Sequence, residues 1–343
     1  MEISGRKIGK TFPPLVVAEI GINHEGSLET AIQMADAAIQ AGAEVIKHQT
    51  HIPDSEMSEE ARNIIPGNTD VSIYEVIDRC ALDLPDEISL ANHVRSKGII
   101  YISTPFSFDA VDFLESINVP AYKIGSGECN NYPLVEYIAS KKKPVIMSTG
   151  MNSISSIKPS VDTFRKYKND FALLHCTNLY PTPSNLLRLN AILELGQEFP
   201  DAILGLSDHS ITNYPCIASV ALGASILERH FTDSKTRPGP DIICSMDPEE
   251  LSELIQASAI VHRASQGSKF PVAEEDVTIA FAFASVVTKR DLAPGECIKI
   301  EDITLKRPHG GDFGPLEFYL LAGKRVIQPI RKNTQIRRDQ VDF

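Results

Sequence analysis

The stretch LVVAEIGI at residues 15–22 is a short apolar run, rich in β-branched residues, with a glutamate near its end. Such a run is typical of a strand that is buried on both faces. An amphipathic segment follows at 28–41, and Gly42 marks the position where a helix is expected to end. These residues predict one strand followed by one helix.

The same unit recurs along the chain. Further strands are predicted at 44–49, 99–103, 121–125, 144–148, 171–176, 202–207 and 225–231, with amphipathic segments between them and a last one at 248–263. Alternating strands and helices imply a parallel sheet, and eight such units close into a (β/α)8 TIM barrel. A doubly wound open sheet is the alternative, but no GxGxxG motif follows the first strand. The sequence therefore favours an α/β barrel over residues 1–264.

The pattern changes after the last of these helices. Residues 265–280 predict a linker, and short apolar runs separated by turns predict a small β-rich domain at 281–343. A domain of about 60 residues buries only a thin core. We therefore expect it to pack on a barrel rim, either its own or that of a partner. The longest insertion, 51–87, follows the second predicted strand, where it would cover the rim.

Composition and charge exclude several classes of function. The net charge of −12 argues against nucleic acid or an anionic membrane as a partner, and no apolar run approaches the roughly 20 residues of a membrane span. The six cysteines show no metal-binding spacing, and the N-terminus has no secretion signal, so we expect a cytoplasmic protein. Residues 280–343 carry 11 basic and 8 acidic residues, a charge of +3, against −15 for the remainder.

Polar residues recur at the carboxyl ends of the predicted strands, where TIM barrels build their active sites. Burying such charges costs several kcal/mol each unless they are paired or liganded, so their repetition indicates an enzyme. The residues at these ends are Glu19, Asn23, Lys47, Gln49, Thr104, Lys123, Ser126, Glu128, Ser148, His175, Asn178, Tyr180, Asp208, His209, Glu228 and His230.

Two lysines bear most directly on the class of substrate. Lys47 and Lys123 lie within apolar sequence, and together with nearby hydroxyls and glycine backbone they would form a cradle for a phosphate and a carboxylate. A Schiff-base lysine, with its pKa lowered by burial, is the alternative. Residue spacing does not separate these two roles.

Two histidines close neighbouring predicted strands. The imidazoles of His209 and His230, with carboxylate oxygen and water, would suit Mn²⁺, Fe²⁺, Co²⁺ or Zn²⁺. A histidine at a barrel rim can equally serve as a hydrogen-bonding group. The other histidines near the rim, at positions 24, 48, 51 and 175, are not excluded as ligands by pattern.

Several longer motifs carry a family resemblance over nearly the whole chain. The stretches AEIGINHEGS (18–27), GAEVIKHQTH (42–51), AYKIGSGECNNYPL (121–134), LLHCTNLYPTP (173–183), GLSDHS (205–210) and LERHFTDSKTRPGPD (227–241) resemble those of bacterial N-acetylneuraminate (sialic acid) synthases. The tail, FASVVTKRDLAPGECIKIEDITLKRPHGGDFG, is similar to the antifreeze-like (SAF) domain of that family. The resemblance implies the barrel and small domain that the pattern predicts.

The resemblance also implies a reaction and a set of site residues. Phosphoenolpyruvate would condense with open-chain N-acetylmannosamine, with release of phosphate. His209 and His230 would hold a divalent metal, usually Mn²⁺, with Mg²⁺ or Co²⁺ as other candidates. Glu19 and Glu128 match the acid/base carboxylates, in roles that could be exchanged. The positions that match substrate-binding residues are Lys47, Gln49, Thr104, Lys123, Ser126, Ser148, Asn178, Tyr180 and Asp241.

The resemblance further implies a homodimer in which each SAF domain reaches the partner's barrel. Arg307 matches an arginine that touches the N-acyl group of the sugar. Three alternatives stay open: a legionaminic- or pseudaminic-type synthase that uses a 2,4-diacetamido-trideoxy hexose, a Schiff-base lyase, and a non-catalytic ice- or glycan-binding protein.

Overall fold

The structure, a computed structural model, describes residues 1–66 and 70–342. The chain divides into two compact units, Met1–Gln266 and Gly267–Phe343. No helix in the described ranges is both long enough and apolar enough to cross a membrane.

The first unit is a closed parallel barrel, which confirms the predicted fold. A hairpin of β1 (Glu2–Ile3) and β2 (Arg6–Lys7) precedes it. The barrel strands follow in the cyclic order β10-β3-β4-β5-β6-β7-β8-β9, and each pairs in parallel with its neighbours. They are β3 (Leu15–Gly21), β4 (Val45–Thr50), β5 (Ile100–Pro105), β6 (Tyr122–Ile124), β7 (Val145–Ser148), β8 (Phe171–Cys176), β9 (Ile203–Asp208) and β10 (Ile226–His230).

Helices cover the outside of the barrel, and side chains at their N-caps satisfy free backbone N–H groups. Ser27, Asp83, Ser153 and Asp247 each accept such a hydrogen bond. The helices are α1 (Leu28–Gln40), α2 (Pro53–Glu56), α3 (Ile73–Cys80), α4 (Leu84–Ser96), α5 (Phe108–Ser116), α6 (Tyr132–Ser140), α7 (Ile154–Tyr167), α8 (Ala191–Glu198), α9 (Tyr214–Ala221) and α10 (Pro248–Ala264).

Alternation along the strands produces two apolar layers. In β3, Val16 and Ala18 belong to the cluster between the strands and the helices, whereas Leu15 and Val17 belong to the cluster inside the barrel. Ile3 of the N-terminal hairpin joins this inner cluster. The inner cluster fills the barrel below Glu19, so the polar residues are left at the carboxyl ends of the strands.

The insertion after β4 lies where the sequence predicts a cover for the rim. It contains α2, a 3₁₀ turn at Glu59–Asn63 and α3. Val76, Ile77 and Cys80 of α3 pack against Ile22, which follows β3. The apolar face of α3 therefore lies against the rim of the barrel.

The second unit has its own small core. Helix α11 (Asp276–Ala282) precedes β11 (Ser285–Thr288) and β12 (Ile303–Lys306), which pair antiparallel. The core residues include Val286, Leu292, Ile298, Phe313, Leu321, Val326, Ile330 and Ile336. The stretch 265–280, for which the sequence predicts a linker, contains a 3₁₀ turn at Ala273–Glu275 and most of α11. Asp276 lies in the first turn of α11, where an acidic side chain stabilises a helix.

Candidate active site

A pocket of about 400 Å³ lies at the carboxyl ends of the barrel strands. The barrel residues to which the family resemblance gives a role all line it: Glu19, Lys47, Gln49, Thr104, Lys123, Ser126, Glu128, Ser148, Asn178, Tyr180, His209, His230 and Asp241. Of the other polar residues predicted at strand ends, Glu228 lines the pocket, whereas Asn23, His175 and Asp208 do not. Arg307 belongs to the second unit, where it is exposed and directly follows β12.

The two lysines are buried and paired with carboxylates. Lys47 Nζ lies 2.5 Å from Glu19 Oε2 and donates a hydrogen bond of 3.2 Å to Thr104 Oγ1. Lys123 Nζ lies 3.3 Å from Glu228 Oε1 and donates a hydrogen bond of 2.7 Å to the hydroxyl of Ser148. Because buried charges need partners, these pairs explain how the barrel tolerates both lysines.

The charge states of this group favour an anionic ligand. Burial lowers the pKa of Lys47, but Glu19 and Glu228 outweigh this effect and raise the pKa above its usual value, so Lys47 is a cation. Burial dominates at Lys123 and lowers its pKa. Burial also opposes ionisation of Glu228, yet the two lysines hold its pKa low. A phosphate or carboxylate entering the pocket would therefore meet cationic groups that are already desolvated.

The loops after β6 and β7 are tied together beside the lysines. The Gly150 amide donates a hydrogen bond of 3.0 Å to Ser126 Oγ, and the Asn152 side chain donates to the carbonyls of Ser126 and Gly150 at 2.9 and 2.8 Å. Asn178 Oδ1 is buried and has no hydrogen-bond partner. A buried polar atom of this kind usually has a function or an absent partner.

Two carboxylates of the pocket have different surroundings. Burial raises the pKa of Glu128 to about 7, and the nearby charge of Lys123 only partly opposes this. A carboxyl group with this pKa can accept or donate a proton near neutral pH. Glu19 instead pairs with Lys47 and accepts a hydrogen bond of 2.7 Å from Gln49 Nε2.

His209 and His230 lie side by side, as their neighbouring strands predict. Their ring centroids are 5.3 Å apart, and Tyr180 stacks on His209 at 4.0 Å. His209 Nδ1 lies 3.1 Å from the carbonyl of Thr177 and must donate to it, which leaves a lone pair on Nε2. Burial, followed by the proximity of His230, lowers the pKa of His209 to about 3, so its imidazole is neutral.

This pair of histidines fits a divalent metal. His230 Nδ1 is buried without a hydrogen-bond partner, and the nearest carboxylate oxygen is Asp241 Oδ2 at 3.5 Å. Neutral imidazoles with a carboxylate nearby suit first-row divalent metals. Residues 1–66 and 70–342 contain no group of three or more His, Cys, Asp or Glu residues placed to hold a metal. A bound ion would therefore need water or substrate to complete its coordination.

The other histidines near the rim make different contacts. His48 faces the helix layer, with Nδ1 3.3 Å from Glu87 Oε1 and Nε2 3.0 Å from His24 Nε2. His175 Nε2 lies 2.7 Å from the carbonyl of Leu187. His51 does line the pocket, where its Nε2 lies 3.0 Å from Gln49 Oε1.

Two pocket features were not assigned by sequence reasoning. Glu228 lies between both lysines, 3.3 Å from Lys123 and 4.0 Å from Lys47. The position of Glu228 at a strand end indicates that it lies near the site, but the order of residues in the sequence does not show which lysine it contacts. His51 stacks on Phe106 at 4.2 Å and pairs with Glu56 of α2 at 2.8 Å. This second contact arises within the insertion after β4, whose internal structure the sequence pattern does not predict.

The fold and the pocket define a barrel enzyme, and comparison with known proteins places it in a family. The sequence matches the NeuB family over residues 34–269 and the SAF domain over residues 283–342. The chain belongs to the NeuB family. The predicted family resemblance and the predicted combination of a TIM barrel with a SAF domain are confirmed.

Several of the similar proteins are named as synthases of sugar acids. N,N'-diacetyllegionaminic acid synthase from Legionella pneumophila is 33% identical over 99% of this chain and 99% of that protein. N-acetylneuraminate-9-phosphate synthase from Homo sapiens is 31% identical over 98% and 95%. The crystal structure of an N-acetylneuraminic acid synthetase from Leptospira borgpetersenii aligns with a TM-score of 0.75 at 30% identity, covering 81% of this chain and 94% of that one. The sugar acid differs among these relatives.

Proposed function

We propose that this enzyme condenses phosphoenolpyruvate with N-acetylmannosamine and water to give N-acetylneuraminate and phosphate. The observation that carries this proposal is the pocket itself. One cavity holds two buried lysines, a pair of histidines and a carboxyl group whose pKa burial raises to about 7. These groups suit an anionic substrate, a metal and a proton transfer near neutral pH.

Lys47 and Lys123 bind the two anionic ends of phosphoenolpyruvate in this proposal. The hydroxyls of Thr104 and Ser148 already contact the lysine ammonium groups, at 3.2 and 2.7 Å, and are placed to share an anion with them. Ser126 and Asn178, whose Oδ1 has no hydrogen-bond partner, also line the pocket. Without substrate, Glu19 and Glu228 balance the charges of the two lysines. The anionic groups of bound phosphoenolpyruvate would form further charge-assisted hydrogen bonds with the same lysines.

Gly150→Ala is expected to lower kcat/KM for phosphoenolpyruvate by roughly 10²-fold, because misplaced positioning groups have effects of this size. A Cβ at Gly150 would overlap the side-chain amide of Asn178 and lie 2.9 Å from Ser126 Oγ. Gly314→Ala is the control, since its Cβ meets only a Glu317 oxygen at 3.5 Å. Steady-state kinetics measure both variants. Equal kcat/KM values for Gly150→Ala and Gly314→Ala would contradict a role of Asn178 and Ser126 in binding phosphoenolpyruvate.

His209 and His230 hold the divalent metal in this proposal, with Mn²⁺ as the first candidate. When bound, the metal supplies a Lewis acid that polarises the aldehyde of the open-chain sugar. The Thr177 carbonyl fixes the ring of His209, and Tyr180 covers its face. Both contacts keep the lone pair of Nε2 in a defined direction.

Two carboxylates handle the protons of the reaction. C3 of phosphoenolpyruvate forms a bond to the aldehyde carbon, and Glu19 relays a proton from the neighbouring Lys47 ammonium to the oxygen that becomes a hydroxyl. Water adds to C2 and gives a proton to Glu128, from which Lys47 regains its proton through solvent. Phosphate leaves as its C–O bond breaks, and it takes the proton of the new C2 hydroxyl, which becomes the keto group. The raised pKa of Glu128 supports this assignment.

Other polar residues that line the pocket bind the sugar in this proposal. Gln49 and Asp241 offer hydrogen bonds to hydroxyl groups. We also propose a homodimer in which Arg307 of one protomer contacts the N-acyl group of a sugar in its partner's barrel. Its exposure and its place in a tail of net charge +3 support this role.

The choice of sugar is tested by comparing kcat/KM for N-acetylmannosamine and for a 2,4-diacetamido-trideoxy hexose. A site that hydrogen-bonds a hydroxyl rejects an analogue that lacks it, because buried polar groups lose their partners. We expect a preference of about 10²-fold or more for N-acetylmannosamine, and loss of turnover in EDTA with recovery on addition of Mn²⁺. A preference for the diacetamido sugar would move the assignment to a legionaminic- or pseudaminic-type synthase.

A further inference from the structure

Arg229 is a buried cation that faces away from the pocket. It lies in β10 between Glu228 and His230, which both line the pocket, and alternation along the strand turns it toward the helix layer. Its residue is only 1% exposed, and it is among the largest fully buried side chains. Asp208 occupies the corresponding place in β9, between Ser207 and His209, and pairs with Arg229 in the sheet register.

The guanidinium of Arg229 connects several segments. Nη1 donates a hydrogen bond of 2.6 Å to Asn213 Oδ1, and Nη2 donates to the carbonyls of Ser210 at 2.5 Å and Cys244 at 3.4 Å. Nε lies 3.9 Å from Asp208 Oδ2. One side chain thus connects β10, the turn after β9 and the loop after β10.

Two of these segments carry the proposed metal ligands His209 and His230, and the third carries Asp241, whose carboxylate lies 3.5 Å from His230 Nδ1. The turn at Ser210 directly follows His209, and the Asp208 carboxylate fixes it by accepting hydrogen bonds from the Ser210 amide (2.9 Å) and hydroxyl (2.8 Å). Cys244 ends a 3₁₀ turn, Ile242–Cys244, which Asp241 directly precedes, and the Asp241 carbonyl accepts a hydrogen bond of 2.8 Å from Ser245 Oγ. His230 is the next residue after Arg229.

Stability alone does not account for a guanidinium at this place. Well-packed apolar side chains of similar volume are often as stabilising as a buried ion pair. A guanidinium instead offers donors in fixed directions within one plane, which is what contacts with separate segments require. Lysine would keep the charge but would lack these fixed directions.

We propose that Arg229 is a positioning residue that sets the relative placement of His209, His230 and Asp241, and thereby the affinity of the site for its divalent cation. This inference rests on the proposed function for the cation itself. Partners that orient metal ligands typically change metal affinity by roughly 10–100-fold when they are mutated.

The test is a titration of metal-free protein with Mn²⁺, in which electron paramagnetic resonance measures the free ion. For Arg229→Lys we expect the dissociation constant to rise roughly 10–100-fold. Turnover should recover at high Mn²⁺, which a merely misfolded variant would not show. The control is Arg165→Lys, because Arg165 forms its salt bridges with Asp162 and Asp201 on the surface.

A second variant keeps the test decisive if Arg229→Lys does not fold. Asn213→Ala removes the acceptor of Nη1, together with the hydrogen bonds that the Asn213 amide donates to the Glu250 carbonyl and to Glu253 Oε2, and leaves the other contacts of Arg229 in place. It should therefore weaken Mn²⁺ binding to a smaller degree than Arg229→Lys. Unchanged Mn²⁺ affinity in a folded variant would overturn the role of Arg229. Absence of Mn²⁺ binding to the wild-type protein would instead overturn the metal proposal, and the inference with it.

Discussion

Glu128→Gln is expected to lower kcat by about 10²–10⁴-fold, the usual contribution of a general acid or base, while phosphoenolpyruvate still binds. The amide keeps the shape of the side chain but neither accepts nor releases a proton near neutral pH. Phosphate-release assays measure kcat, and calorimetric titration measures the affinity for phosphoenolpyruvate separately. Glu136→Gln is a matched control, because Glu136 pairs with Lys166 on the surface at 2.6 Å.

The pH profile gives this prediction a direction. Burial raises the pKa of Glu128 to about 7, so the group is largely protonated below that pH and ionised above it. A base must be ionised, and kcat/KM of the wild-type enzyme should therefore rise as the pH increases through about 7. A fall over the same range would exchange the roles of Glu128 and Glu19. Persistence of the ionisation in Glu128→Gln would show that another group is responsible.

Lys123→Met is expected to have the second large effect. The change removes a cation that lies 3.3 Å from Glu228 Oε1 and leaves that buried carboxylate with Lys47 at 4.0 Å. Truncating one partner of a buried charge pair costs about 2–5 kcal/mol, and we expect a loss of this size in the binding free energy of phosphoenolpyruvate. Calorimetric titration measures this loss, and thermal unfolding should show a lower Tm.

A matched lysine on the surface separates this effect from a general change of charge. Lys158 forms an exposed pair with Asp162, and Lys158→Met should leave both affinity and Tm nearly unchanged. Phosphoenolpyruvate binding that survives in a folded Lys123→Met variant would contradict the proposed cradle. Borohydride trapping of pyruvate on the wild-type protein but not on this variant would identify Lys123 as a Schiff-base residue instead.

Much of the site could be predicted because barrel geometry converts linear order into proximity. Lys47 and Glu228 are far apart in the sequence, yet each lies near the carboxyl end of a strand, and such ends meet at one rim. The polar residues there stand out against apolar runs such as LVVAEIGI. The barrel and most of the pocket residues follow from this pattern. Asp241 comes only from the family resemblance, and Asn23, His175 and Asp208 lie at strand ends without lining the pocket.

The partners within the site could not be predicted in the same way. Which carboxylate faces Lys123 depends on side-chain directions across the barrel interior, and Glu228 has no signal in sequence for that choice. The contact of His51 with Glu56 depends on how the insertion folds. Arg229 lies within LERHF, where an apolar residue would be expected to face the helices, and only the contacts of its guanidinium explain it.

The central claim is that one pocket joins phosphoenolpyruvate to an N-acylated amino sugar with the help of a metal. The most direct measurement is a phosphate-release assay with phosphoenolpyruvate, N-acetylmannosamine and Mn²⁺, with and without EDTA, and with mass spectrometry of the product. We expect phosphate release that EDTA abolishes, with one nine-carbon acid formed for each phosphate. Absence of release with both N-acetylmannosamine and the diacetamido sugar, or release without a new acid, would contradict the account.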